Sequence, residues 1–148
     1  MNILIVSATE KEIKPLLQKF TIKRDGGGEL KICQYKNLNV DVLITGAGMV
    51  STAYYCAKTI SDTYDLALNT GIAGSFRNDL NIGDVVQIVL DRFAELGAED
   101  GEKYITLKEM NLHGEDKVEN HSRIKNPVLD NLKRVSGLTV NRVHGNES

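Results

Sequence analysis

The chain has 148 residues, 41% of them apolar and 26% charged, with a formal net charge of −2 and a pI near 5.9. That length fits one domain with a packed core, and the apolar content argues against a disordered chain. Scattered Lys and Arg give no general attraction for nucleic acid, no apolar run reaches membrane-spanning length, and the amino end shows no basic region or cleavage site, so a cytoplasmic protein is expected.

Residues 2–7, NILIVS, form a β-branched apolar run that predicts a buried first strand. The period then changes. Thr9-Glu10-Lys11-Glu12 has the form of a capping box, and Ile13, Leu16, Leu17 and Phe20 follow at helical spacing. Pro15 lies beyond the first-turn positions that tolerate proline, which predicts a bend or a late start. Asp25-Gly26-Gly27-Gly28 is the strongest turn signal, and residues 30–35 alternate as a half-exposed strand. A further strand over 40–44 ends in the glycine loop Gly46-Ala47-Gly48, which opens a helix running to about Ser61. Val50, Ala53, Tyr54, Ala57 and Ile60 are its expected buried stripe.

Residues 65–69 read as a strand buried on both faces, and strand, helix, strand predicts a right-handed parallel crossover. This strand runs into Thr70-Gly71-Ile72-Ala73-Gly74, small residues that by spacing alone read equally as a tight turn between strands or as a ligand loop at a strand's carboxyl end, where open α/β sheets place their ligands. A second apolar run, 85–90, follows Gly83-Asp84. Residues 91–101 and 111–126 are polar or acidic and read as surface loops. Pro127, Val128, Leu129, Leu132 and Val135 predict a short helix ended by Ser136-Gly137, and 138–143 a last strand that stops at His144.

Several chemistries lack a basis in these residues. GAGMVS has serine where a dinucleotide fingerprint needs its third small residue, and no lysine stands in a phosphate-loop position, so nicotinamide-dependent and triphosphatase readings are poor. His113, His121 and His144 lack metal-ligand spacing, and no serine lies in a nucleophile elbow. Cys33 and Cys56 are too far apart for a CxxC pair and read as reduced core residues. Asp91, Arg92, Glu99 and Asp100 read as surface charges, and Phe93 as an interface aromatic. Glu10 and Glu12 stand just past the first strand, where a carboxylate could orient water, but by spacing alone Glu12 reads first as a helix cap.

Taken together, NILIVSATEKEI, VLITGAGMVSTAYYCAK and LALNTGIAGSFRNDLNIGDVV resemble the nucleoside phosphorylase and nucleosidase superfamily, in its methylthioadenosine/S-adenosylhomocysteine nucleosidase branch. DRFAELGAEDG and VNRVHGNES look most like the futalosine hydrolases of menaquinone biosynthesis. The resemblance implies an α/β fold, a three-layer α/β/α sandwich with a mixed central sheet, and hydrolysis of the N-glycosidic bond of a purine nucleoside by water. It implies no cofactor and no metal. Glu12 matches the family's water-orienting glutamate. Ala8, Thr9, Gly46, Ala47, Gly48, Thr70, Gly71, Ile72, Ala73, Gly74, Val143 and His144 match substrate-binding positions. Ile72 departs from the serine common in methylthioadenosine nucleosidases, which favours a relative such as futalosine as substrate.

Phosphorolysis is disfavoured on separate grounds, because Glu10 and Glu12 would repel a phosphate co-substrate. The family's Met-Glu pair and purine-protonating aspartate would fall after the last strand. Residues 1–148 are therefore expected to form a single but incomplete domain, nearly inactive and prone to self-association by itself. Family members commonly dimerise, with Arg92 and Phe93 expected at the contact. The rival readings are a non-catalytic nucleoside-binding module and a methylthioadenosine/S-adenosylhomocysteine nucleosidase.

Overall fold

In a computed structural model, residues 1–25, 29–120 and 126–143 are described, and they fall into two units, Met1–Ser75 and Phe76–Ser148. The first is built on a five-stranded sheet. In chain order it comprises β1 (Asn2–Ser7), α1 (Glu10–Leu17), β2 (Thr21–Asp25), β3 (Leu30–Tyr35), β4 (Leu38–Ile44), α2 (Met49–Thr59) and β5 (Leu66–Asn69). The strands lie in the order β2-β3-β4-β1-β5. β1 runs parallel to both β4 and β5, while β2, β3 and β4 pair antiparallel, so the sheet is mixed.

The alternation of side chains along β1 shows why helices cover both faces. Ile3 and Ile5 pack with Ile13, Leu16 and Leu17 of α1, together with Cys33, Val40 and Val42. Leu4 and Val6 point the other way, and pack with Leu43 and with Tyr55 and Cys56 of α2. Successive residues of a strand face opposite sides, so an uninterrupted apolar run demands an apolar partner layer on each side. The result is the expected three-layer α/β/α sandwich. On the α2 face, Asp41 accepts a 2.7 Å hydrogen bond from the Tyr64 hydroxyl. Burial and that carboxylate push the phenol up to about 12.

Several expectations need correction. The covered face of α2 is not the predicted stripe: Val50 is 84% exposed and Tyr54 60% exposed, whereas Tyr55 and Cys56 reach the core. Both stripes have helical spacing, and periodicity alone could not choose between them. The 65–69 strand is not buried on both faces, because β5 sits at a sheet edge with Ala67 and Asn69 exposed. β2 was not anticipated; its Lys23, Arg24 and Asp25 suit an exposed edge strand.

The second unit contains β6 (Val86–Phe93), β7 (Gly97–Asp100), β8 (Lys103–Thr106), β9 (Lys117–Glu119), α3 (Pro127–Asp130) and β10 (Lys133–Thr139). β6 pairs in parallel with β10 and antiparallel with β9, and β7 and β8 form a hairpin. Residues 91–101 are thus largely strand rather than loop, and Arg92 and Phe93 lie within β6. The expected helix over 127–135 is one turn, with Asn126 capping the Val128 amide at 2.9 Å. Leu132 ends that turn and Val135 belongs to β10, which begins at Lys133 rather than at Leu138. Lys133 and Arg77 both pair with Asp79, tying the start of β10 to the segment before β6.

Leu4 is fully buried, so Leu4→Ala should destabilise the protein by about 2–5 kcal/mol, whereas Val50→Ser should stay within about 0.5 kcal/mol. Denaturant unfolding of the two variants checks the assignment of the α2 faces.

Candidate functional site

Parallel pairing of β1 with β4 and β5 brings three chain crossings to one end of the sheet. In register, Ser7 is opposite Ile44, and Val6 is opposite Asn69. Each strand leaves the sheet within a residue of that line, into residues 8–9, 45–48 and 70–74. Main-chain hydrogen bonds extend the pairing into the crossings: the Thr45 amide donates to the Ser7 carbonyl at 3.0 Å, and the Thr70 amide donates to the Val6 carbonyl at 2.9 Å.

Glu12 projects into the space between the first and third crossings. It sits in the first turn of α1 at the third position after the cap residue Thr9. Its Oε2 accepts from the Thr9 amide at 2.8 Å and from the Thr9 hydroxyl at 2.8 Å. Its Oε1 faces the other way and accepts from the Ile72 amide at 3.2 Å. Gly71 makes this approach feasible, because a Cβ there would lie 3.0 Å from Oε1 and 3.6 Å from the carboxyl carbon. The capping box and an approach to the 70–74 loop are therefore both real, and they use different oxygens.

The electrostatics follow from these donors. Burial pushes the Glu12 carboxyl up, but the Thr9 hydroxyl, the Ile72 and Thr9 amides and the Ser7 hydroxyl outweigh it, and the group titrates below the ordinary glutamate range. Every donor in that set is neutral. Glu10, by contrast, turns to Lys31 at 3.9 Å, and Lys31 is held by Asp25 at 2.8 Å. Of the paired acids noted in the sequence, only Glu12 meets the crossings through these contacts.

The second crossing is shaped by hydroxyls and by backbone. Gly46 and Gly48 have φ of 77° and 105°, conformations that side chains rarely adopt. Buried Thr45 donates to the Gly46 carbonyl at 2.9 Å and shares a 3.2 Å contact with the Thr52 hydroxyl, and Ser51 donates to the Thr45 carbonyl. These contacts fix where α2 starts. Ala47 and Gly48 are exposed, and a Cβ on Gly48 would meet nothing.

Most of the expected site residues come together at this end of the sheet. Ala8 and Thr9 follow β1, Gly46, Ala47 and Gly48 follow β4, and Thr70, Gly71, Ile72, Ala73 and Gly74 follow β5. Ile72 contributes its main chain to Glu12 while its side chain is 87% exposed. Val143 belongs to the second unit and is 90% exposed, and His144 lies outside the described residues.

Ser7 lies in no nucleophile elbow, and its place beside Glu12 emerges only in the structure. It is fully buried at the end of β1, with Oγ 3.5 Å from Glu12 Oε2. The available signal was a hydroxyl closing an apolar strand five residues before a glutamate. Thr45, Ser51 and Thr52, which support the second crossing, were likewise not singled out as a hydroxyl cluster.

Comparison with known proteins bears on the family and the fold. The phosphorylase superfamily model matches residues 2–123. The 5'-methylthioadenosine/S-adenosylhomocysteine nucleosidase of Hydrogenovibrio crunogenus is 35% identical over 91 residues, covering 58% of this chain and 39% of that protein. The protein of the same name from Bacillus pumilus is 33% identical over an equal length, with the same coverage. The matched stretch thus spans about two fifths of these curated relatives. Among solved structures, the Campylobacter jejuni 5'-methylthioadenosine/S-adenosyl homocysteine nucleosidase superposes with a TM-score of 0.72 at 21% identity, covering 99% of this chain and 68% of that one. The futalosine hydrolase of Helicobacter pylori superposes with a TM-score of 0.67 at 18% identity, covering 96% and 65%. These structural likenesses show a shared fold, and with the match over residues 2–123 they establish that the chain belongs to the phosphorylase superfamily.

Proposed function

We propose that this chain carries the water-activating part of a purine nucleosidase, an enzyme that hydrolyses the N-glycosidic bond of a nucleoside and releases the free base. One observation carries the reading: Glu12 is held by the protein through Oε2 while Oε1 is presented beside Gly71 and Ile72 at the shared end of β1, β4 and β5. A carboxylate oxygen has room for two acceptor contacts, and the Ile72 amide takes one at Oε1. The other suits a water molecule.

The chemistry follows from that placement. Loss of the base from C1' leaves an oxocarbenium-like ribosyl centre, and a water held by Glu12 Oε1 attacks it while its proton passes to the carboxylate. The leaving base takes up a proton from solvent and Glu12 returns the water's proton there, so that water is divided between the sugar and the free base. Glu12 titrates below the ordinary glutamate range, so the acceptor is ionised at neutral pH as an unperturbed glutamate would be. Gly71 and Gly74, with Ala73 exposed between them, leave the main chain of this crossing open to close approach by a ribose.

Futalosine-type nucleosides are the substrate class we favour, with methylthioadenosine and S-adenosylhomocysteine as the second reading. Ile72 supports the first, since it departs from the serine common at this position in methylthioadenosine nucleosidases. The curated relatives named for methylthioadenosine and S-adenosylhomocysteine support the second. Hydrolysis is favoured over phosphorolysis because the carboxylate that meets the crossings would repel phosphate. The substrate partner is thus a purine nucleoside with water, and we place the protein in the cytoplasm as a dimer; among the described residues no helix is long and apolar enough to cross a membrane.

Release of free base from futalosine, methylthioadenosine and S-adenosylhomocysteine, with and without phosphate, tests the reading. Slow phosphate-independent release from residues 1–148, which Glu12→Gln lowers further by roughly 10²- to 10⁴-fold, is expected. Release that survives this substitution would remove Glu12 from the mechanism, and nucleoside binding without release would favour a binding module.

Gly71→Ala places a methyl 3.0 Å from Oε1, and a displaced carboxylate should cost roughly 10- to 100-fold in kcat/KM. Nearly native stability is expected with that loss.

The pH profile gives a third check. Because Glu12 titrates below the ordinary glutamate range, the acid limb of kcat/KM should also fall below it. The same sign holds for stability: the contribution of Glu12 is complete above its unfolded-state pKa and disappears as pH falls through the lower folded-state value. A wild-type stability curve that bends at this acid limb, against a flatter curve for Glu12→Gln, is the expected result.

A further inference from the structure

Ser7 has a role that the capping box does not account for. Its side chain is fully buried, and its hydroxyl lies 3.3 Å from the Thr9 carbonyl oxygen and 3.5 Å from Glu12 Oε2. A hydroxyl has one proton to donate and here faces two acceptors. When Glu12 is ionised the anion is the stronger acceptor; once it takes a proton, the neutral carbonyl competes on better terms.

The positions of the partners distinguish Ser7 from the other donors. The Thr9 amide and hydroxyl belong to the start of α1, and the Ile72 amide belongs to an exposed crossing. Ser7 is instead the last residue of β1, a strand paired on both edges, in register with Ile44 and with its carbonyl accepting from Thr45 at 3.0 Å. It therefore links the carboxylate to an internal strand of the sheet, as preorganisation of a reacting group requires.

We propose that Ser7 is a positioning residue for Glu12: its buried hydroxyl turns between the Thr9 carbonyl and Glu12 Oε2 as the carboxylate loses and gains its proton, and so holds Oε1 toward the reactant. The assignment to catalysis rests on the nucleosidase reading, whereas the coupling between the two side chains stands apart from it. Among the described residues of α1 and the three crossings, no charged side chain competes for this effect. Residues 45–48 and 70–74 contain none, Glu10 turns to Lys31, and Lys11 is exposed.

Two measurements on the whole chain test the proposal. In the first, the Glu12 side-chain carboxyl carbon is followed by NMR as a function of pH in the native protein, Ser7→Ala and Ser7→Thr. Ser7→Ala should raise the Glu12 midpoint, and Ser7→Thr, which keeps the hydroxyl, should return it toward the native value. An unchanged midpoint in folded Ser7→Ala would overturn the proposal. If Ser7→Ala gives no folded spectrum, Ser7→Cys replaces it, with nearly the same volume and a weak donor, and is read the same way. In the second, Ser7→Ala should lower kcat for base release by roughly tenfold with KM little changed, and move the acid limb of kcat/KM upward. Slow base release that Glu12→Gln leaves unchanged, while the NMR midpoint still responds to Ser7→Ala, would refute the catalytic reading of Glu12 and leave the coupling standing. Base release with no response of the midpoint would do the reverse.

Discussion

The parallel pairing of β1 with both β4 and β5 is the constraint from which the rest of the first unit follows. A strand flanked on both edges and covered on both faces has no surface left for water. Leu4 and Val42 are accordingly inaccessible, and Ile5 and Val6 nearly so. Parallel direction also leaves no freedom about where the chain emerges. All three strands release their crossings at one end, so glycine loops separated by more than twenty residues in the sequence share one edge of the sheet.

At that edge the geometry of one carboxylate reconciles two demands that compete on paper. A glutamate in a capping box spends hydrogen-bonding capacity on a helix terminus, and a water-activating glutamate needs some of it elsewhere. The two oxygens divide these tasks. Oε2 is directed to Thr9 and Ser7, and Oε1 to the 70–74 crossing. Gly71 permits the second contact, and the same neutral donors that orient the group also hold its pKa below the ordinary glutamate range. Cap and reactive group are thus one structure, with the helix start acting as the fixture for the acid.

The second unit shows how pairing between distant segments overrides local composition. Residues 91–101 are acidic and interrupted by glycine, which reads as loop, yet Val86–Phe93 continues as strand through Asp91 and Arg92 because β9 and β10 flank it. Asp91 is accommodated there by the Thr139 hydroxyl at 2.6 Å and by Gly137, where a Cβ would lie 3.0 Å from the carboxylate. A strand can hold an acid when its neighbour supplies a donor and a gap. Neither condition is visible in the 91–101 stretch itself.

What the amino-acid sequence determined by itself was the part governed by local chemistry: the apolar run of β1, the Thr9–Glu12 cap, the glycine crossings at 46–48 and 70–74, and the family motifs that contain them. Tertiary structure decided what depends on partners far along the chain. It turned Tyr55 and Cys56 rather than Val50 and Tyr54 toward the core, put β5 at an edge, and made Leu132 and Val135 the end of a turn and part of a strand. It also set which oxygen of Glu12 serves the helix and which faces Ile72, and brought buried Ser7 beside them. The physical reason is the same in each case: a helical period admits more than one face and a carboxylate more than one orientation, and only packing against non-local neighbours selects among states that are locally alike.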